Sequence, residues 1–327
     1  MRFTLGIIGL GYWGPKLLRS FAQHDGFDVR WVCDRHEDRR NQALATVPAA
    51  RGTARVEDLL ADPATDIMVI ANQASQHFEL SRRALESGKH VFVEKPFTLA
   101  TAEADQLCRL AEVQDRRIFV DHTFLFSTGY RRLRALVRAG AYGRIRRIHS
   151  QRCDFGRFQQ DASVVWHLMY HDAYLLMDLL GVAPMAIEGK ATSIVVPGVS
   201  DGACAVLSYA DGVQASILCD MYFPQKKRDF LVQCEGGILL WDDTRPEPLQ
   251  VFDRFATFDR ARNEVQYGGS DSASVVPVAP GETLPSVIEA FYQDLCRPAP
   301  SCCDAASALE VVRLVEKLDS CCKAAPR

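Results

Sequence analysis

Residues 3–18, FTLGIIGLGYWGPKLL, decide the reading of the chain. A short apolar run ends in glycine, further glycines follow at Gly11 and Gly14, and Pro15 suits the first turn of a helix. The pattern G-x-G-x-x-G is weak evidence by itself. Here it joins a strand to a helix, and the next strand, VRWVCD (29–34), ends in an acid, Asp34. In that setting it predicts a dinucleotide-binding turn made of Gly9, Leu10, Gly11, Tyr12, Trp13 and Gly14. Gly9 allows the tight turn, Gly11 lets backbone approach a pyrophosphate, and Gly14 lets the helix pack close to the sheet. The helix N-terminus offers unpaired N–H groups to the anion. Asp34 can accept hydrogen bonds from ribose hydroxyls, which favours NAD. Arg35, beside it, could pair with a 2′-phosphate, so NADP stays open.

Working outward, the same alternation continues. DIMVIAN (66–72) and HVFVEKP (90–96) are short apolar strands, and RIFVDHT (117–123) is one more. HEDRRNQALA and HFELSRRALESG between them have helical spacing. This predicts a Rossmann domain, a doubly wound parallel sheet, over residues 1–122. The pattern then changes. YRRLRALVRAGAYG reads as a helix, RIRRIHSQRCDF as a half-exposed strand, and VVWHLMYHDAYLLMDLLG as a helix closed by Gly181. Residues 186–279 are mostly strand-like, with a hairpin signal at Asp211–Gly212. LPSVIEAFYQDL and ASALEVVRLVEKL end the chain as helices. Residues 123–327 therefore form an α+β domain with a large antiparallel sheet.

A net charge of −3 gives no electrostatic case for binding nucleic acid or an anionic membrane. No apolar run approaches a membrane span, and the glycines of the N-terminus mark it as a strand of the mature chain, not a leader. The 11 cysteines are spread through strand- and helix-like segments, which suits the cytoplasm better than a disulfide framework. Cys302–Cys303 and Cys321–Cys322 lack the spacing of a zinc site, and no metal is expected.

ALESGKHVFVEKP (84–96), residues 120–148 and VVWHLMYHD (164–172), taken with the glycine turn, resemble the Gfo/Idh/MocA family of oxidoreductases. The resemblance implies an NAD(P)-dependent oxidoreductase. It would transfer a hydride between nicotinamide and a hydroxyl or keto carbon of a sugar, cyclitol or nucleotide-linked sugar. It also implies that the second domain binds substrate, and that its large antiparallel sheet is open and carries the subunit contacts of a homo-oligomer, dimer or tetramer. By matching positions, Glu94-Lys95-Pro96 is the family's E-K-P motif, whose lysine lies between nicotinamide and substrate. His171 matches the acid–base histidine, and Asp172 an acid common after it. His77 fits a position facing the cofactor region. Two positions depart from the pattern. Asn72-Gln73 replaces Thr-Pro after a sheet strand, altering a loop that lines the cofactor groove. His167 stands where the family has an aspartate. Two other branches of the same fold stay open: a nucleotide-sensing regulator without catalysis, and a glycosidase that recycles NAD.

His167 and His171 are four apart, one turn on a helix. A histidine can take or give the proton that alcohol oxidation or ketone reduction requires. Two neighbouring imidazoles disfavour a second positive charge, so the pair is expected to hold one proton or none near neutral pH. His167 can bind substrate, share the proton relay, or mark a weakened site. Lys95 can donate to the substrate oxygen and stabilise a developing alkoxide. His122, Arg157 and Gln159 complete the substrate-side candidates. Lys227-Arg228 reads as an anion site or a solvated pair.

Overall fold

The structure is a computed structural model that describes residues 1–156, 158, 162–297 and 301–323. The chain folds into two units, each with its own sheet. One is Met1–Thr123 with Glu282–Glu316; the other is Phe124–Gly281 with the chain from Lys317.

The first unit opens with β1 (Phe3–Ile8), α1 (Gly14–Ala22), β2 (Phe27–Cys33) and α2 (Glu37–Thr46). Then come β3 (Arg51–Thr53), α3 (Val56–Ala61), β4 (Ile67–Ile70), α4 (His77–Glu86), β5 (His90–Val93), α5 (Thr101–Val113) and β6 (Ile118–Val120). The six strands lie in the order β3-β2-β1-β4-β5-β6, every pairing parallel. All of β4 and β6 is buried, as strands covered on both faces must be. Two elements escape the sequence pattern: β3 is only Arg-Gly-Thr, and α3 is a six-residue helix, both too short to show a hydrophobic period.

The second unit begins with α6 (Thr128–Arg138), β7 (Ile145–Phe155) and α7 (Tyr170–Leu180). Strands β8 (Ala186–Thr192), β9 (Gly202–Ser208), β10 (Gln214–Asp220), β11 (Tyr222–Cys234), β12 (Ile238–Asp242) and β13 (Leu249–Phe252) follow. A hairpin of β14 (Phe255–Asp259) and β15 (Glu264–Gly268) stands apart, and β16 (Ala273–Val275) closes an eight-stranded sheet ordered β16-β13-β12-β11-β7-β10-β9-β8. The expected antiparallel sheet needs one correction: β7 and β10 pair parallel, so the sheet is mixed, with its other pairings antiparallel. The β9–β10 turn has positive φ at both Asp211 and Gly212, as the Asp-Gly signal requires.

Helices α8 (Thr283–Cys296) and α9 (Ala305–Cys321) end the described chain. A division at 122/123 alone leaves α8 in the second domain, yet α8 belongs to the first unit. Phe291 explains why. Its buried ring packs 5.8 Å from Phe27, 5.4 Å from Phe92 and 5.3 Å from Phe119, filling the space beside the parallel sheet. Periodicity shows a helix, not which sheet its apolar face will cover.

Candidate active site

Three glycines meet three separate demands. Gly9 has φ +89°, and a Cβ there would come 2.7 Å from the Ala71 carbonyl oxygen and from Asn72 Oδ1. Gly14 starts α1 so close to the turn that a Cβ would lie 2.0 Å from the Gly9 carbonyl oxygen. Gly11 is exposed, and a Cβ there meets nothing within 4 Å, so its bare backbone stays open to a ligand. No side chain caps α1, but Pro15 has no N–H and the Lys16 N–H donates to the Trp13 carbonyl at 2.9 Å, so the backbone left for an anion is that of the turn around the exposed Gly11. This cradle fits the pyrophosphate of a dinucleotide.

Asp34 is buried behind the turn. Its Oδ2 accepts the Leu10 N–H at 2.8 Å and its Oδ1 the His36 N–H at 2.9 Å. The carboxylate thus ties the glycine turn to the end of β2, and each oxygen keeps a lone pair for a further donor. Arg35 is exposed and donates to His36 Nε2 at 3.1 Å, whereas Arg40 binds the Asp34 carbonyl at 2.8 Å. Tyr12 is exposed and Leu10 buried. Lys16, which the motif does not include, sets its ammonium 3.8 Å from the Tyr12 ring centroid and 4.3 Å from that of Trp13. A cation in the first turn opposes the helix dipole; the two ring faces offset that cost and keep a positive charge beside the cradle.

Asn72 donates from Nδ2 to Gln76 at 2.9 Å, while its Oδ1 is buried with no hydrogen-bond partner against Gly9. His77 is buried. Its Nδ1 lies 2.6 Å from the Pro96 carbonyl oxygen and its Nε2 3.2 Å from that of Asn72. The ring therefore lies between the loop after β4 and the E-K-P loop, within reach of a carbonyl of each.

In that loop Lys95 is half-buried and the Lys95–Pro96 peptide is cis. Glu94 is buried. It leaves β5 beside Asp121, which leaves β6 at the same level: Val93 pairs with Val120, and Asp121 N donates to Val93 O at 2.9 Å. Thr123 donates to Asp121 Oδ1 at 2.7 Å, and the buried Glu94 and Asp121 carboxyls hydrogen-bond to each other when one of them holds a proton. Burial first, then the neighbouring Asp121 charge, pushes Glu94 well above its ordinary range. Burial likewise lifts Asp121 to about 6. Lys95 favours the ionised form of both. His122 is buried too, with Nδ1 3.3 Å from the Cys302 carbonyl oxygen, an inward place for a candidate substrate ligand.

In the second unit the two histidines do not share one regular α-helix. Val165–Met169 is a π turn, and α7 begins only at Tyr170. Such turns usually occur singly and often at functional sites. His167 lies in the π turn and His171 in α7, both half-buried. His171 Nδ1 is 3.0 Å from Tyr174 Oη, and its ring stands edge-on to Phe124 at 5.0 Å. Asp172 turns the other way. It is fully buried, accepts from Ser150 Oγ at 2.6 Å and from Arg152 Nε and Nη2 at 3.3 Å, and so pins the start of α7 to β7. Arg152 lies 4.6 Å from the Phe124 centroid and Arg228 5.4 Å. Arg228 also pairs with Asp243 at 2.9 Å, a structural employment for one half of Lys227-Arg228. Arg157 and Gln159 lie outside the described residues. Among the described residues no group of three or more His, Cys, Asp or Glu side chains is placed to hold a metal ion, and no helix is long and apolar enough to cross a membrane.

Residues 3–122 match the oxidoreductase family with an NAD-binding Rossmann fold, and residues 130–240 match the GFO/IDH/MocA C-terminal domain; the chain belongs to this Gfo/Idh/MocA oxidoreductase family. It is similar to UDP-N-acetylglucosamine 3-dehydrogenase of Acidithiobacillus ferrooxidans, 24% identical over 94% of this chain and 93% of that one. A solved structure of that enzyme superposes with a TM-score of 0.81 at 22% identity, covering 98% of each chain. Levoglucosan dehydrogenase, solved with NADH and levoglucosan, gives a TM-score of 0.82 at 16% identity over 98% of this chain and 96% of that one. Myo-inositol 2-dehydrogenase of Thermotoga maritima is 25% identical over 43% of this chain and 42% of its own.

Proposed function

We propose that the protein is a dehydrogenase or reductase that uses NAD in preference to NADP and acts at a hydroxyl or keto carbon of a sugar, cyclitol or nucleotide-linked sugar. The observation that carries the reading is the glycine turn, with Gly11 open and Asp34 buried behind it. A carboxylate there repels a 2′-phosphate, which supports NAD over NADP. The similarity to UDP-N-acetylglucosamine 3-dehydrogenase along nearly the whole chain supports the substrate class.

When bound, NAD supplies the hydride acceptor. The chain's own residues handle the oxygen and its proton. Lys95 donates to the substrate oxygen and stabilises negative charge as it develops. His171 takes the hydroxyl proton in oxidation and returns it in reduction. His167, where the resemblance implies an aspartate, contributes a hydrogen-bonding imidazole for the substrate. The buried thiols Cys33, Cys153 and Cys219 support the cytoplasm as its compartment. Val206 and Leu218, exposed apolar residues of β9 and β10, support a homo-oligomer through the open sheet. Light scattering of the purified protein tests that assembly.

The deciding assay offers NAD and NADP with UDP-N-acetylglucosamine, myo-inositol and levoglucosan, following reduced-nicotinamide absorbance and product. Net reduction that collapses in His171→Ala and Lys95→Ala, with NAD affinity kept in His171→Ala, is the expected result. Cofactor binding without turnover across a broader sugar panel would transfer the protein to the regulator class. Glycoside cleavage with no net cofactor change would transfer it to the recycling class.

A further inference from the structure

His167 stands one turn before His171, where the resemblance implies an aspartate, and the structure sets another polar group, the Tyr174 hydroxyl, at the imidazole. We propose that Tyr174 is the positioning residue of His171, holding Nδ1 so that Nε2 is the nitrogen that exchanges the substrate proton. This rests on the reading of His171 as the proton carrier.

The geometry centres on one phenol. Tyr174 is 1% exposed, so its hydroxyl is held by protein and not exchanged among waters. Its Oη accepts the Phe124 N–H at 3.2 Å and stands 3.0 Å from His171 Nδ1. Tyr174 lies three residues after His171 in α7, the spacing that brings two side chains together on one face. Phe124 closes the arrangement from outside the helix: its backbone fixes the phenol oxygen, and its ring packs against the imidazole edge. Phe124 is itself held beneath the guanidinium groups of Arg152 and Arg228, and Arg152 is anchored by Asp172, the residue next to His171. One connected set of contacts therefore fixes the ring plane of His171.

The proposed role assigns the tautomer. A phenol oxygen has two lone pairs and one O–H. One lone pair takes the Phe124 N–H. In the opposite tautomer the phenol donates to a bare Nδ1, and in the assigned tautomer its other lone pair accepts His171 Nδ1–H. A proton arriving at Nε2 then gives an imidazolium and a proton leaving Nε2 restores the neutral Nδ1–H ring, with the bond to Tyr174 kept throughout. An aspartate in this role adds a negative charge and favours the imidazolium; a neutral phenol orients the ring without that bias. Proton and charge balance because only the Nε2 proton moves.

The test is nitrogen-15 NMR of the full-length protein labelled at histidine, with the His171 signals assigned by their loss in His171→Ala. The wild type is expected to show Nδ1 protonated in the neutral ring. In Tyr174→Phe, which keeps the packed ring, the population moves to the Nε2–H tautomer that isolated histidine prefers. With the best substrate of the panel, kcat in Tyr174→Phe falls about 10- to 100-fold, as for a misaimed catalytic group, while KM stays within about 3-fold. A wild-type His171 with Nε2–H and a bare Nδ1 overturns the proposal. So does a Tyr174→Phe variant with unchanged tautomer and kcat. Should His171→Ala turn over at a near-normal rate, the proton-carrier reading fails, and the tautomer measurement still decides the Tyr174–His171 link. Circular dichroism of Tyr174→Phe separates loss of the bond from loss of the fold.

Discussion

Gly14→Ala and Gly11→Ala change the same motif by the same methyl group and are expected to fail in opposite ways. At Gly14 the new Cβ would sit 2.0 Å from the Gly9 carbonyl oxygen, when contacts under 3.0 Å are essentially never seen. The carbonyl or the helix must shift by the difference, at a packed point where α1 meets the turn. Overpacking of this kind costs about 1–3 kcal/mol, and the higher helix propensity of alanine returns at most about 1 kcal/mol. A 2.0 Å approach to backbone belongs at the upper end of that cost, so Gly14→Ala should lower unfolding free energy in urea by about 2–3 kcal/mol. Gly11→Ala meets no atom within 4 Å and has no positive φ to strain, so its stability should match wild type or rise slightly. Its methyl instead occupies the surface that a pyrophosphate must approach. Losing one charge-assisted hydrogen bond there costs about 1.5–3 kcal/mol, roughly a 10- to 100-fold weaker NAD dissociation constant by calorimetry. Wild-type NAD affinity in Gly11→Ala would refute the assigned path of the cofactor across the turn. Unchanged stability in Gly14→Ala would refute the claim that close packing requires that glycine.

The remaining expectations concern the buried charges and the core. Because Asp121 is raised to about 6 and Glu94 is raised beside it, the folded state holds their protons more tightly than the unfolded chain. That contribution is full below about pH 4 and is lost as pH rises through 6, by up to about 3 kcal/mol for a two-unit shift. Asp121→Asn should flatten this part of the stability–pH profile, measured by denaturant unfolding at each pH; a slope equal to wild type removes the acid pair as its source. Asp172→Ala strands the buried Arg152 guanidinium and should cost about 3–5 kcal/mol in the same assay. Phe291→Ala leaves a cavity among Phe27, Phe92 and Phe119 and should cost about 3–5 kcal/mol, a loss that a merely peripheral α8 would not show.

The first unit was legible in the sequence wherever burial writes a run of apolar residues: β1, β4, β5 and β6, and the turn whose glycines and acid keep fixed spacing. Asp34 reads from the sequence as a candidate ligand group, but not as the acceptor that holds Leu10, because a backbone partner leaves no mark in side-chain pattern. β3 and α3 were hidden by shortness. The parallel β7–β10 pairing was hidden because strand periodicity carries no direction. The π turn at Val165–Met169 was hidden because its apolar residues also satisfy α-helical spacing. Tyr174 and Phe124 read as ordinary core aromatics, and their hydroxyl and backbone contacts to each other and to His171 emerge only from packing. Lys16 had one usable signal, a lysine in the first turn after an anion-binding loop.

The place of Phe291 has a further consequence for how the polypeptide is born. The nucleotide-binding unit is discontinuous, and its core residue Phe291 is made only after the mixed sheet. Phe21, Phe27, Phe92 and Phe119 must wait on the ribosome with part of their surface uncovered while the whole mixed sheet is synthesised. A fragment stopped after Thr123 would carry that uncovered surface permanently, so the motif that announces the fold cannot be expected to travel as a portable module.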